Sequence, residues 1–136
     1  FEYWGDPATY RRRETRRAGD PVNEADAAAR MIALVAWIAD YGATQRGGAF
    51  AVFPQNGERL LAYDTDDTYL DAVSGFGVED LWFNGTKRQP AAETAFRLPW
   101  LRQARDAGKT ILTVEYVDAS GRTTGANGRR IRDYLN

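Results

Sequence analysis

Gly75-Phe76-Gly77-Val78-Glu79-Asp80 is a short apolar run that stops abruptly at two carboxylates. Two other runs share this form: Ala49–Pro54 leads into Gln55-Asn56, and Ile111–Val114 leads into Glu115-Tyr116. Helical patterns separate the three, and strand–helix alternation predicts parallel strands joined by right-handed crossovers. The carboxyl ends of strands in such folds line the active site, so the three polar pairs read as one wall of a pocket. Glu79 leads the candidates within it.

Outward from these runs, the elements follow in order. Phe1–Pro7 is an aromatic loop, and Arg11–Arg17 is a basic stretch stopped by Gly19-Asp20-Pro21. Asn23 or Asp26 is suited to cap an alanine-rich helix from Ala25 to Tyr41. Its expected apolar stripe is Met31, Leu34, Val35, Ile38 and Tyr41, ended by Gly42 and Gly47-Gly48. Trp37 and Trp100 fall in helices and are read as packing. Asp64 to Asp67 precede a short helix through Tyr69, Leu70, Ala72 and Val73; their spacing lacks the glycine and terminal Glu of a calcium loop, so capping is the better account. Ala91–Ala107 is amphipathic through Ala95, Leu98, Leu101 and Ala104, interrupted by Pro99 and capped by Gly108. A closing helix runs through Ile131, Tyr134 and Leu135.

Composition narrows the function classes. The 136 residues are 43% hydrophobic and 27% charged, as in a soluble globular protein. A formal charge of -1 gives no global field for nucleic acid or an acidic membrane, and no run is long and apolar enough to span a bilayer. There is no Cys and no His, which excludes disulfides, thiol nucleophiles, the usual zinc sites and His-based triads. Acid–base chemistry therefore falls to carboxylates, Tyr or Lys. No metal or organic cofactor is implied. Three parallel strands are few, and a complete barrel typically needs about 250 residues. The expected fold is thus α/β, a partial (β/α)8 TIM barrel with two open sheet edges, forming one domain over residues 1–136. The start at Phe1, without Met or signal-type segment, is read as processing or as part of something longer.

Four segments carry a resemblance. They are Phe1–Trp4, Phe53–Leu61 (FPQNGERLL), Gly77–Gly85 (GVEDLWFNG) and Ala107–Tyr116 (AGKTILTVEY). Together they resemble glycoside hydrolase family 114, the endo-α-1,4-polygalactosaminidase-like (β/α)8 proteins. Their order fits the second half of that barrel, from the loop after strand four to the helix after strand seven. The resemblance implies a hydrolase of galactosamine-containing polysaccharide, extracellular or at the cell surface. It makes Glu79 the strand-six catalytic glutamate, with nucleophile as its expected role. The family's other carboxylate, an Asp ending strand four, is absent from this chain, as are strands one to four and eight. Many relatives also carry Asp-Tyr where Glu115-Tyr116 stands here.

Each candidate has a plainer reading beside the functional one. A glycosidase needs two carboxyls flanking the scissile bond, and Glu79 could be one of them or an ordinary charge at a strand end. Asp80 reads as a neighbour bonding a loop. Gln55 and Asn56 suit sugar hydroxyls, yet Pro-Gln-Asn-Gly is also good turn chemistry. Glu115 and Tyr116 could hold an amino-sugar ammonium, or Glu115 could pair with a nearby Arg. Tyr3, Trp4, Trp82 and Phe83 could present aromatic faces to sugar, or be buried under loops. The Arg11–Arg17 cluster could bind phosphate or an anionic polymer, but with a near-neutral total it is read as a solvated loop balancing nearby acids. Two functions remain: a glycosidase segment inactive by itself, and a non-catalytic carbohydrate-binding or scaffold protein. The unclosed edges also predict self-association.

Overall fold

Asn23 offers a short acceptor ahead of an alanine-rich run, and its side chain takes the Asp26 N–H at 2.8 Å. That cap opens α1, Glu24–Arg46, in the computed structural model, which describes residues 19–135. The chain divides into two compact units. One runs to Val52 and adds Leu60–Val73; the other takes Phe53–Arg59 and the chain from Ser74 onward.

In the first unit α1 departs from expectation twice. It passes through Gly42 and stops at Gly47, whose φ of 65° suits a residue without Cβ. Gly42 is buried, and a Cβ there would overlap the Phe50 ring. The buried positions of α1 are Ala27, Ala28, Ile32, Val35 and Gly42, so its packed face mixes small and β-branched residues. Of the expected stripe only Val35 is buried; Leu34, Ile38 and Tyr41 are exposed. Trp37, expected to pack, is 60% exposed and stacks on Tyr41 at 5.3 Å between ring centroids. A second helix, α2, spans Thr68–Ala72. Asp64 accepts the Tyr69 and Leu70 N–H groups at 3.0 and 2.8 Å, and Asp66 accepts that of Thr68 at 3.2 Å. Capping is thus the observed use of these aspartates.

The second unit holds the sheet. β1, Gly75–Glu79, pairs in parallel with β4, Thr110–Val114, with Glu79 opposite Val114. Between them lie a small antiparallel ribbon, β2 (Phe83–Asn84) with β3 (Lys87–Arg88), and helix α3, Ala91–Asp106. α4, Gly125–Leu135, follows β4. The fold is therefore mixed α/β with a small parallel sheet. Phe76 and Val78 are fully buried, whereas Leu112 and Val114 on β4 are exposed.

The third expected strand, Ala49–Pro54, is not a strand. It contributes one isolated parallel bridge, Gln55 to Gly77, built from Gly77 N–H to Pro54 C=O at 3.0 Å and Asn56 N–H to Gly77 C=O at 2.8 Å. The next rung toward the N-terminus needs an N–H from residue 54, and proline has none. The rung beyond is lost because Asn56 turns to φ 51°. The fit of this segment to β1 still rests on glycine. A Cβ on Gly75 would overlap the Phe53 ring and the Thr110 carbonyl, and one on Gly77 would overlap the Gln55 side-chain amide.

α3 continues through Pro99, where an interruption was expected. Its end matches expectation: Gly108 takes φ 79°, its N–H bonds the Arg105 carbonyl at 2.8 Å, and Lys109 N–H bonds that of Ala104 at 2.9 Å. These are the two closing bonds of a Schellman motif.

Candidate active site

Glu79 ends a strand that is buried on both faces, and is itself half-buried. Gly77, two residues earlier, directs its N–H and C=O at the Pro54–Asn56 segment, so those of Glu79 face the same side. With the ladder ended at Asn56, side chains take over. Asn56 Oδ1 accepts the Glu79 N–H at 2.8 Å, and Arg97 Nη1 on α3 donates to the Glu79 carbonyl at 2.7 Å. Buried or partly buried backbone groups need such partners, and here two side chains supply them.

Asn56 also reaches the carboxylate, where Tyr116 joins it. Asn56 Nδ2 donates to Glu79 Oε2 at 3.3 Å, and the Tyr116 hydroxyl donates to Oε1 at 2.5 Å. The Tyr116 hydroxyl is the main reason the Glu79 carboxyl sits below its ordinary range; the Gln55 and Asn56 amides add to it, and partial desolvation opposes them. Reciprocally, the Glu79 carboxylate pushes the Tyr116 hydroxyl above its ordinary value. The donors on this carboxylate are neutral, so its charge is stabilised without being cancelled by a cation. Such a group suits a nucleophile or general base better than a general acid.

Behind Asn56 lies an ion pair. Arg97 Nε meets Glu58 Oε1 at 2.5 Å, and Arg97 Nη2 donates to Asn56 Oδ1 at 3.0 Å. The Glu58 side chain is 4% exposed and that of Arg97 18%. Sequence reasoning missed both residues. The available signal was spacing: Arg97 lies four residues before Leu101 and seven before Ala104, the buried positions of α3. A charge on a buried stripe calls for a buried partner.

Glu115 has another employment than either reading predicted. Its Oε1 accepts the Leu81 and Trp82 N–H groups, both at 2.9 Å, and its Oε2 accepts that of Phe83 at 3.0 Å. The carboxylate clamps the loop after β1. The Asp80 carbonyl accepts Gln89 Nε2, just after β3, at 2.8 Å, and Asp80 takes φ 51°. Trp82 lines a shallow pocket of about 250 Å³ with Phe83, Arg88, Asp133 and Tyr134, apart from the groups on the Glu79 carboxylate. The Arg88 guanidinium stands 5.3 Å over the buried Phe83 ring. Trp100 is half-buried, with its indole N–H unpartnered among the described residues. The structure thus gathers Gln55, Asn56, Glu79 and Tyr116 and leaves Glu115 and Trp82 in other roles. Tyr3, Trp4 and the Arg11–Arg17 cluster lie outside the described residues. Among the described residues no cluster of three or more acidic ligands could hold a metal ion, and no helix is long and apolar enough to cross a membrane.

No family model matches the chain. It is 35% identical over 136 residues, its whole length, to the uncharacterized protein MJ1477 of Methanocaldococcus jannaschii, covering 35% of that protein. It is 37% identical over 134 residues, 98% of its length, to an uncharacterized protein of Thermotoga maritima, covering 37% of that protein. The chain therefore spans a little over a third of the length of these curated relatives.

Proposed function

We propose that this chain is part of a (β/α)8-barrel glycoside hydrolase of the family 114 kind, and that Glu79 is one of its two catalytic carboxylates. In this reading β1 and β4 are strands six and seven, and Pro54–Asn56 is what remains of strand five. The observation that carries it is the setting of Glu79. It is a half-buried carboxylate at the carboxyl end of a buried parallel strand, bonded by Tyr116, with Asn56 beside it. Strand ends of that kind are where barrel enzymes keep their reacting groups.

The chemistry follows from the protonation state. An ionised Glu79 attacks the anomeric carbon as the partner carboxyl protonates the departing glycosidic oxygen, giving a glycosyl ester that water then hydrolyses. Oε2 is the attacking atom of choice, because its bond from Asn56 is long at 3.3 Å while Oε1 is held at 2.5 Å by Tyr116. The family's partner carboxylate, the Asp that ends strand four, has no counterpart among these 136 residues, so in this reading the segment by itself is expected not to turn over glycan. The substrate is a galactosamine-containing polysaccharide, whose ammonium groups suit a site with an ionised Glu79. A secreted or cell-surface location goes with that substrate. The outer edge of β4, which pairs only with β1 among the described residues, takes the next strand of the barrel, or a second copy when the segment is isolated.

The test is reducing-end release by the complete gene product from a galactosamine polymer, alongside chitin and a neutral glucan. Release from the galactosamine polymer alone supports the assignment. Stoichiometric binding of the polymer without release would favour a carbohydrate-binding protein on the same scaffold.

A further inference from the structure

We propose that Arg97 is a positioning residue for Glu79, fixing the Asn56 amide so that its NH₂ group faces the carboxylate. The proposal rests on the catalytic reading of Glu79 and adds residues to it. Asn56 Oδ1 stands between two obligate donors, the Glu79 N–H at 2.8 Å and Arg97 Nη2 at 3.0 Å. Neither donor can accept, so the amide has one satisfied orientation, and that orientation turns Nδ2 toward Glu79 Oε2. Arg97 also holds the Glu79 carbonyl at 2.7 Å, so one planar guanidinium fixes the strand end and its flanking amide together.

Glu58 completes the device from behind. Its carboxylate is buried against Arg97 Nε, and its other oxygen has no hydrogen-bond partner among the described residues. A buried ion pair is weak grounds for stability, since apolar residues of similar volume often do as well. One with an unsatisfied oxygen is weaker still. What the pair does supply is a guanidinium locked at a single angle behind Asn56. Among the described residues, Tyr116 and Asp80 stand near Glu79, with Arg97 from α3 and Glu58 behind it.

The experiment compares wild type with Arg97→Lys and with the double variant Glu58→Gln/Arg97→Gln, which keeps a neutral buried pair should the single variant fail to fold. The first readout is NMR of the Asn56 side-chain amide in the full chain, without substrate. Wild type should show a protected Nδ2 group near the Glu79 side chain; both variants should lose that protection while their backbone spectra stay folded. The second is kinetics in the complete gene product, where kcat should fall about 10- to 100-fold with KM within about 3-fold, as for a misplaced reacting group. An unchanged Asn56 amide in a folded variant overturns the proposal, as does a change confined to KM. A wild type without glycanase activity defeats the hydrolase reading instead, and the amide spectra then still decide whether Arg97 orients Asn56.

Discussion

Replacing Glu115 by Ala should loosen one loop and cost a large share of the unit's stability. The carboxylate holds three consecutive backbone N–H groups, those of Leu81, Trp82 and Phe83, at 2.9, 2.9 and 3.0 Å. Leu81 and Phe83 are each 2% exposed, so water cannot readily replace the lost acceptor. A hydrogen bond to a charged group contributes about 1.5–3 kcal/mol, and a stranded buried donor costs about 1–3 kcal/mol. Two such donors, with Trp82 more exposed, give about 3–5 kcal/mol for Glu115→Ala. Glu115→Gln can keep its carbonyl on Leu81 and Trp82 but turns NH₂ against the Phe83 N–H, which predicts about 1–3 kcal/mol. Urea unfolding measures the totals, and amide hydrogen exchange at residues 81–83 locates them. Glu115→Ala within about 0.5 kcal/mol of wild type, with exchange at those amides unchanged, would refute the clamp and return Glu115 to the candidate ligands.

Other expectations follow from the same contacts. Gly75→Ala should cost about 3 kcal/mol or more, because its Cβ meets the Thr110 backbone and the Phe53 ring, whereas Gly77→Ala meets only the flexible end of Gln55 and should cost less than about 1.5 kcal/mol; equal costs in urea unfolding would count against the register. Glu79 has a folded-state pKa below its ordinary 4.5, so its contribution is present at neutral pH and fades as pH falls through the folded value. Tyr116 lies above its ordinary 10.0, so its contribution holds below that pH and fades as pH climbs through the folded value. Tyr116→Phe should therefore destabilise at pH 7 and lose most of that effect in acid; an equal penalty at pH 7 and pH 3 would contradict the bond to Glu79.

Much of this was legible in the chain because it depends on local chemistry. Glycine and apolar residues running into Glu79 read correctly as a strand with its charge at the carboxyl end, and Asn23, Asp64 and Gly108 cap where short acceptors and a Cβ-free residue should. What failed needed knowledge of the neighbours. Pro54 removes the N–H for one rung of a ladder, which shows only when the partner strand and register are known. On α1 the buried face runs through Ala27, Ala28, Ile32, Val35 and Gly42 and not through Leu34, Ile38 and Tyr41, a choice set by what packs against the helix, which periodicity does not contain. At the site, Gln55, Asn56, Glu79 and Tyr116 were named from strand ends, and they do converge. Arg97 stayed hidden on a helix, and Glu115 looked like a ligand because the chain does not show three amides turning toward it.

Glu79 carries the proposed reaction. The most direct measurement is the initial rate of galactosamine-polymer cleavage by the complete gene product, for wild type, Glu79→Gln and Asp80→Asn side by side. Loss of a catalytic carboxylate should lower kcat by at least about 1,000-fold in Glu79→Gln, while Asp80→Asn stays within about tenfold. A folded Glu79→Gln protein that cleaves at the wild-type rate would contradict the account.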